Sequence, residues 1–421
     1  MRKILSIMAL AAAGAWALAA DEPSPLSFAL AGSLDSSASY SRENEGSAFE
    51  GLTAYSDSSA YEEIDGKLSF SRGYEGLGLL DFSYRDSGTL DHPGGSILES
   101  AAFTVNEFYS DLNIGDIFYL RLGKQRLSWG SGFVFNPSDP VNPPKNPTNQ
   151  GAVLEGVPAL KAEIIAKSFS LMAFSVLFDD LSELGYGAKL STSAIPNSDL
   201  SASGYWSPSQ SWTGALNASM APLYELPGWD AVQLWFEGSV YGKGRFQAYE
   251  DGPLPGSSVP SSPTGTQWAA LGGTSVQVPV LKTTALAEYY HLSEGMSTME
   301  LGSVYKALRS SVAAVVSSSS AWYGELAGRP GRQASDYLFL SLAQPTITDS
   351  GDPVFDKIGL TLTCLLNLVD ASTYTAGDLS LTFIKDTSID LTVDWAEGGP
   401  YSEFGNTPSS LSLGIQAKVF F

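Results

Sequence analysis

From Lys357 onward this chain alternates apolar and polar side chains one residue at a time, in four segments of about ten residues each. KIGLTLTCLLNL sets Ile358, Leu360, Leu362, Cys364, Leu366 and Leu368 against Lys357, Thr361, Thr363 and Asn367. DLSLTFIK and TSIDLTVDW repeat the pattern with Leu379, Leu381 and Phe383, then Ile389, Leu391, Val393 and Trp395. LSLGIQAKVFF closes the chain with Leu413, Ile415, Ala417, Val419 and Phe421 on one face. A period of two gives a strand one oily and one polar face, and segments of this length cross hydrocarbon when tilted.

A strand with a lipid-facing side cannot stay open in hydrocarbon, because its edge amides have no partner there; closing the sheet on itself pairs them all. The alternation therefore predicts an all-β fold: a closed antiparallel transmembrane β-barrel. A secreted sandwich, burying the apolar faces against each other, also explains the alternation. It does not explain an aromatic at the end of the oily face, which suits the belt at a membrane–water interface. IDGKLSF, LLDFSYRD, FTVNEFYSDL, IFYLRLGKQR, PALKAEIIA, FSLMAFSVLF, AVQLWFEGSVY and KTTALAEYY carry the pattern through the first two thirds of the chain. Short connections such as Lys385-Asp386-Thr387 alternate with long polar ones, as in barrels with short periplasmic turns and long extracellular loops. About sixteen strands are expected, within a range of about 14 to 18. Two stretches fit less well. MELGSVYKALRSSVAAVV spaces Leu301, Val304, Tyr305 and Leu308 as a helix or plug would, and residues 194–230 hold four prolines that weaken a strand assignment.

Residues 1–20, with Arg2 and Lys3 before an apolar run and small residues before Asp21, have the layout of a signal peptide. The remainder, 21–421, is expected to form a single barrel domain in the outer membrane of a diderm bacterium. The formal charge of −22 becomes −24 without Arg2 and Lys3, which argues against a nucleic-acid partner. Cys364 is the single cysteine, so no internal disulfide forms. No zinc spacing, phosphate loop or dinucleotide fingerprint is present, and no cofactor or metal is expected. The two histidines, His92 and His291, have no nucleophile in an arrangement that predicts an enzyme.

Residues 120–164 stand apart. A strand with Leu120 and Leu122 on the lipid parity carries Arg121, Gly123 and Gln125 on the other, then enters a proline-rich loop over 128–156. A second strand follows, with Lys161 and Glu163 facing inward. The prolines stiffen the loop and withhold ladder hydrogen bonds, so it either folds inward and constricts a pore or lies on the outer rim. From 115 to 170 six basic residues outnumber four acidic ones. That allows a ladder steering anions, but a cross-strand Arg121–Glu163 pair with Lys124 and Arg126 snorkelling to head groups is the favoured reading. Further inward positions, such as Asp65, Asp81, Asp378, Asp390 and Asp394, are acidic, so cation preference is as well supported.

The run Arg121-Leu122-Gly123-Lys124-Gln125 with Trp129-Gly130 and Asn136-Pro137 resembles a pattern in alginate-export-type and phosphate-selective porins. That resemblance implies a passive or substrate-selective outer-membrane channel; inward parity makes Arg121, Gln125, Lys161 and Glu163 the lumen candidates of a channel for small polar solutes. The C-terminal strand ending at Phe421 resembles the signal read by the barrel-assembly machinery, and membrane lipid is the other expected partner. The alternative function is a non-conducting surface barrel that binds an extracellular partner through acidic loops.

Overall fold

The computed structural model describes residues 26–48, 58–72, 75–89, 100–127, 129–142, 145–149, 155–177, 183–222, 232–244, 248–251, 258–261, 265–278, 282–310, 331–346 and 354–421. The expected leader and His92 lie outside them. The first barrel strands are β1 (Leu26–Glu43), β2 (Ser58–Arg72), β3 (Glu75–Thr89), β4 (Ser100–Ile114), β5 (Phe118–Gln125) and β6 (Val157–Ala166). Next come β7 (Phe169–Val176), β8 (Gly185–Thr192), β9 (Ser198–Ser207), β10 (Ser211–Met220) and β11 (Val232–Tyr241). A hairpin of β12 (Ala248–Asp251) and β13 (Ser258–Ser261) stands apart from the barrel sheet. The ring continues with β14 (Gln267–Val278), β15 (Thr283–Leu292), β16 (Asp336–Gln344) and β17 (Ile358–Asn367). It ends with β18 (Thr373–Leu381), β19 (Thr387–Glu397) and β20 (Ser409–Phe420).

Every barrel strand pairs antiparallel with its neighbours in chain order, and β20 closes onto β1 with Ser33 opposite Phe420 and Tyr40 opposite Leu413. Phe421 completes the seam: its N–H and C=O exchange 3.0 Å hydrogen bonds with Gly32. Its ring lies where a side chain on Gly32 would sit, so the terminal aromatic covers a glycine on the outer face and is itself 63% exposed. The alternation holds through the ring. Leu413, Ile415 and Val419 point outward and are exposed, whereas Asp35, Glu237, Glu288 and Asn367 point inward and are buried.

The ring holds eighteen strands, not about sixteen. Two of the eighteen, β9 and β10, lie in the proline-bearing stretch. Pro196 and Pro208 occupy the connections around β9, and Pro222 follows β10, so no proline interrupts the ladder in either strand. Trp206, Trp212 and Leu216 face out of these strands while Tyr205, Thr213 and Asn217 face in. The end that carries the chain terminus has mostly short connections, such as Gly115–Ile117 and Lys167–Ser168; the opposite end has most of the long ones.

The helical spacing noted above becomes helix α1 (Thr298–Ser310) in the connection between β15 and β16. Ser297 caps it, its Oγ and N donating to Glu300 Oε2 at 2.7 Å. Leu301, Val304 and Tyr305 are fully buried on the inner faces of the neighbouring strands. The main apolar core therefore sits inside the barrel on one side, built from Val134 and Phe135 of the β5–β6 connection, helix α1, and the inner faces of β14–β17.

Candidate functional site

Residue parity decides which side chains meet the lumen. In β5 and β6, Arg121 lies opposite Asp111 on one side and Lys161 on the other, while Glu163 lies opposite Tyr119. Arg121 therefore does not pair with Glu163. It grips Asp111 with two hydrogen bonds, Nε to Oδ1 at 2.6 Å and Nη2 to Oδ2 at 2.9 Å, and its guanidinium stacks 3.7 Å from the Tyr109 ring centre. Lys161 Nζ is 3.5 Å from Glu163 Oε2, two residues along the same face. Lys124 and Arg126 each have a carboxylate partner. Lys124 Nζ meets Glu155 Oε2 at 2.7 Å, and Arg126 faces Glu107 at 4.0 Å while its N–H donates to that carboxylate at 2.9 Å. These carboxylates hold the loop ends to the wall.

Of the four candidates, Arg121, Lys161 and Glu163 are partly exposed on the inner face. Gln125 is fully buried, its Nε2 donating to Ala159 O at 2.9 Å, where it clasps β5 to β6. Lys189 of β8 joins the basic side through the register Glu163–Met172–Lys189, with its Nζ 5.9 Å from the Trp129 ring centre. Its alternating segment GYGAKLST was the available signal. Asp378, Asp390 and Asp394 on β18 and β19 lie six to nine strands away round the ring of eighteen. The lumen thus sets the Arg121–Asp111 and Lys161–Glu163 pairs with Lys189 on one side against three carboxylates on the other.

The loop between β5 and β6 folds inward. Glu237 of β11 and Glu288 of β15, each 0% exposed, capture its backbone. Ser131 and Gly132 N–H groups donate to Glu237 Oε1, and Ser138 Oγ donates to Oε2 at 2.8 Å. Phe133 N–H donates to Glu288 Oε2 at 2.6 Å, while the Val134 and Phe135 N–H groups donate to Oε1 at 2.9 Å. Trp235 Nε1 adds a 2.9 Å bond to Glu288 Oε2. Proline removes some of the loop's own donors, and these two carboxylates take the backbone N–H groups of Ser131 to Phe135, so that stretch is satisfied without a ladder. Apolar contacts add to the attachment: Phe135 stacks on Tyr290 at 4.4 Å, and Phe133 lies by Phe339.

Within the loop, Asp139 Oδ1 accepts from the Val141 and Asn142 N–H groups at 2.9 Å, an Asx turn, and Lys145 Nζ donates to Gly132 O at 2.6 Å. Gly130 holds φ +58°, and a Cβ there would strike the Glu237 carboxylate. The resemblance motif thus lies at the attachment: Trp129 is buried edge-on against Phe174 at 5.2 Å, Gly130 passes Glu237, and Asn136 braces Asp139.

A second inward segment, the β19–β20 connection, closes on helix α1. Glu403 accepts from Tyr337 Oη at 2.6 Å, Gly331 N–H at 2.7 Å and Asn367 Nδ2 at 2.9 Å. Burial pushes its carboxyl up to about 7. Between this segment, the helix and the β18–β20 wall lies a cavity of about 230 Å³ lined by Thr148, Tyr305, Tyr374, Asp394, Glu403 and Ser412. His291 is elsewhere, on the outer face with Asp336, and Glu294 accepts from Tyr241. Cys364 is a free thiol on the outward parity of β17.

No family model matches the chain, and no curated protein matches it in sequence. Solved structures do. OccAB1 of Acinetobacter baumannii is similar at 11% identity over 94% of this chain and 96% of its own, with a TM-score of 0.54. OpdL of Pseudomonas aeruginosa is similar at 10% identity over 94% and 98%, with a TM-score of 0.54. OccK11 of the same organism gives 9% identity over 94% and 96%, with a TM-score of 0.51. These are outer-membrane porins, and the likeness assigns this chain the same barrel fold.

Proposed function

We propose that this protein is a channel of a diderm outer membrane, passing small polar solutes through a lumen that residues 128–156 narrow. The observation that carries the proposal is the anchoring of that loop, from inside, to Glu237 and Glu288. A loop fixed across the interior by buried carboxylates narrows the lumen at a defined level, as a size-selecting pore requires. The apolar outer face suits lipid, and a closed eighteen-strand ring is wide enough to hold water as well as the loop. Solutes pass between Arg121, Lys161 and Lys189 on one side and Asp378, Asp390 and Asp394 on the other, so a polar molecule aligns its charge separation across the lumen.

Arg121, Lys161 and Glu163 are our selectivity residues, and Gln125 supports them from within the wall. The motif's resemblance to alginate-export-type and phosphate-selective porins supports a channel, and we take no substrate from it. The C-terminal strand ending at Phe421 is our proposed signal to the assembly machinery. Current recorded from folded protein in planar bilayers tests the channel; no current would favour the surface-binding alternative. A reversal-potential measurement on Lys161→Glu tests the basic wall. We expect a shift toward cations, and an unmoved potential removes Lys161 from the conduction path.

A further inference from the structure

The outer wall at β14–β16 carries polar groups where lipid contact would favour apolar ones. Asp336, at the loop end of β16, faces outward opposite His291. Its Oδ1 accepts from Tyr289 Oη at 2.5 Å and pairs with His291 Nδ1 at 2.8 Å, while Ser335 Oγ donates to Oδ2 at 2.6 Å. A carboxylate only accepts, so Nδ1 carries the proton toward it and Nε2 remains as the second hydrogen-bonding edge of the ring. Trp268 lies over His291 with ring centres 4.5 Å apart and is itself half exposed. A titratable cluster on the lipid side of a barrel is costly unless it has a polar partner there.

Directly below the cluster the wall carries small side chains beside Tyr289, which stands opposite Gly272. Ala270 and Gly272 of β14 and Ala285 and Ala287 of β15 share the outward parity with Trp268 and His291. A Cβ built on Gly272 meets nothing within 4 Å. Register places Phe236 of β11 beside Gly272 on one flank, and Leu340 and Leu342 of β16 beside the two alanines on the other. All three flanking side chains are exposed, so two apolar ridges border a shallow furrow that leads up to the Trp268–His291–Asp336 cluster.

We propose that this surface binds one lipid with a saccharide headgroup, its sugar on the polar cluster and an acyl chain in the furrow. The chemistry selects the headgroup. An indole face packs on the apolar face of a sugar ring, while imidazole and phenol exchange hydrogen bonds with hydroxyls that both donate and accept. An anionic phosphate finds Asp336 instead of a cation, because β14, β15 and β16 contain no Lys or Arg. The rest of the outer face agrees. Exposed tyrosines and tryptophans, including Tyr40, Tyr186, Trp206, Trp212 and Trp395, lie toward the long-loop end. Exposed aromatics near the short-turn end, Phe28, Phe169, Phe383 and Phe421, have no hydrogen-bonding group. The headgroups at the loop end are therefore the ones the barrel is built to hydrogen-bond.

The site lies outside the pore and does not depend on conduction. Native mass spectrometry of the detergent-purified barrel, titrated with digalactosyl-dioleoylglycerol or with dioleoyl-phosphatidylglycerol, tests it. We expect one retained molecule of the galactolipid, with retention falling about tenfold in Trp268→Ala. A Cβ on Gly272 meets nothing within 4 Å, so Gly272→Leu places its branched end between Phe236 and Tyr289 and, once circular dichroism shows the native barrel, should give a similar loss. Single-channel conductance should match wild type in both variants. Equal retention of the two lipids, or galactolipid retention unchanged in correctly folded Gly272→Leu, overturns the proposal.

Discussion

Glu288→Gln isolates the inward anchor of the loop. The substitution keeps the side chain's volume and replaces one of its acceptor oxygens with an NH₂ group. Glu288 takes four donors, two on each oxygen: Phe133 N–H and Trp235 Nε1–H on one, Val134 N–H and Phe135 N–H on the other. Whichever way the amide turns, two buried donors face a third donor. An unsatisfied buried donor costs about 1–3 kcal/mol, so the attached loop loses roughly 2–6 kcal/mol. A loss of about 3 kcal/mol shifts the balance between attached and detached loop by over a hundredfold. Single-channel recording should then show a larger, noisier open current, and limited proteolysis should cut within 129–142 faster. Glu237→Gln should act the same way. The double variant should add less than the sum of the two, because both residues hold one loop. An open current and a cleavage rate indistinguishable from wild type would refute the claim that these carboxylates set the loop's position.

The raised Glu403 carboxyl makes the β19–β20 connection sensitive to pH. Its value rises from an ordinary 4.5 to about 7 on folding, so its contribution is fully present below about pH 4.5 and is lost as pH climbs through 7. The difference is worth ~3 kcal/mol, and melting in detergent should show greater stability at pH 5 than at pH 8, with the slope absent in Glu403→Gln. A slope that survives in Glu403→Gln assigns the effect to another group. On the outer face, Ile415→Arg should cost about 2–4 kcal/mol in denaturant unfolding from vesicles, whereas Gln416→Arg, one residue on and facing the lumen, should cost far less. Equal losses would place the membrane on the wrong side of the sheet.

Side-chain alternation is local, so one strand at a time revealed which side chains face lipid and which face the lumen. The physics of unpaired edge amides then required closure, and neither step needed tertiary information. The helical spacing around Leu301 was legible for the same reason, and became α1. Pairing was another matter. Arg121 and Glu163 share the inner face, but the register between β5 and β6 sets Lys161 opposite Arg121, and Asp111 from the other neighbour takes the guanidinium. Prolines around β9 and β10 looked disruptive until the turns between strands absorbed them. The destination of the proline-rich loop was beyond local reasoning. Its backbone is held by a carboxylate 106 residues further along the chain, and in sequence Glu237 is simply one more polar residue on an inner face. Parity is set by adjacent residues. The partner of a buried N–H is set by whichever distant strand the closed ring carries to it.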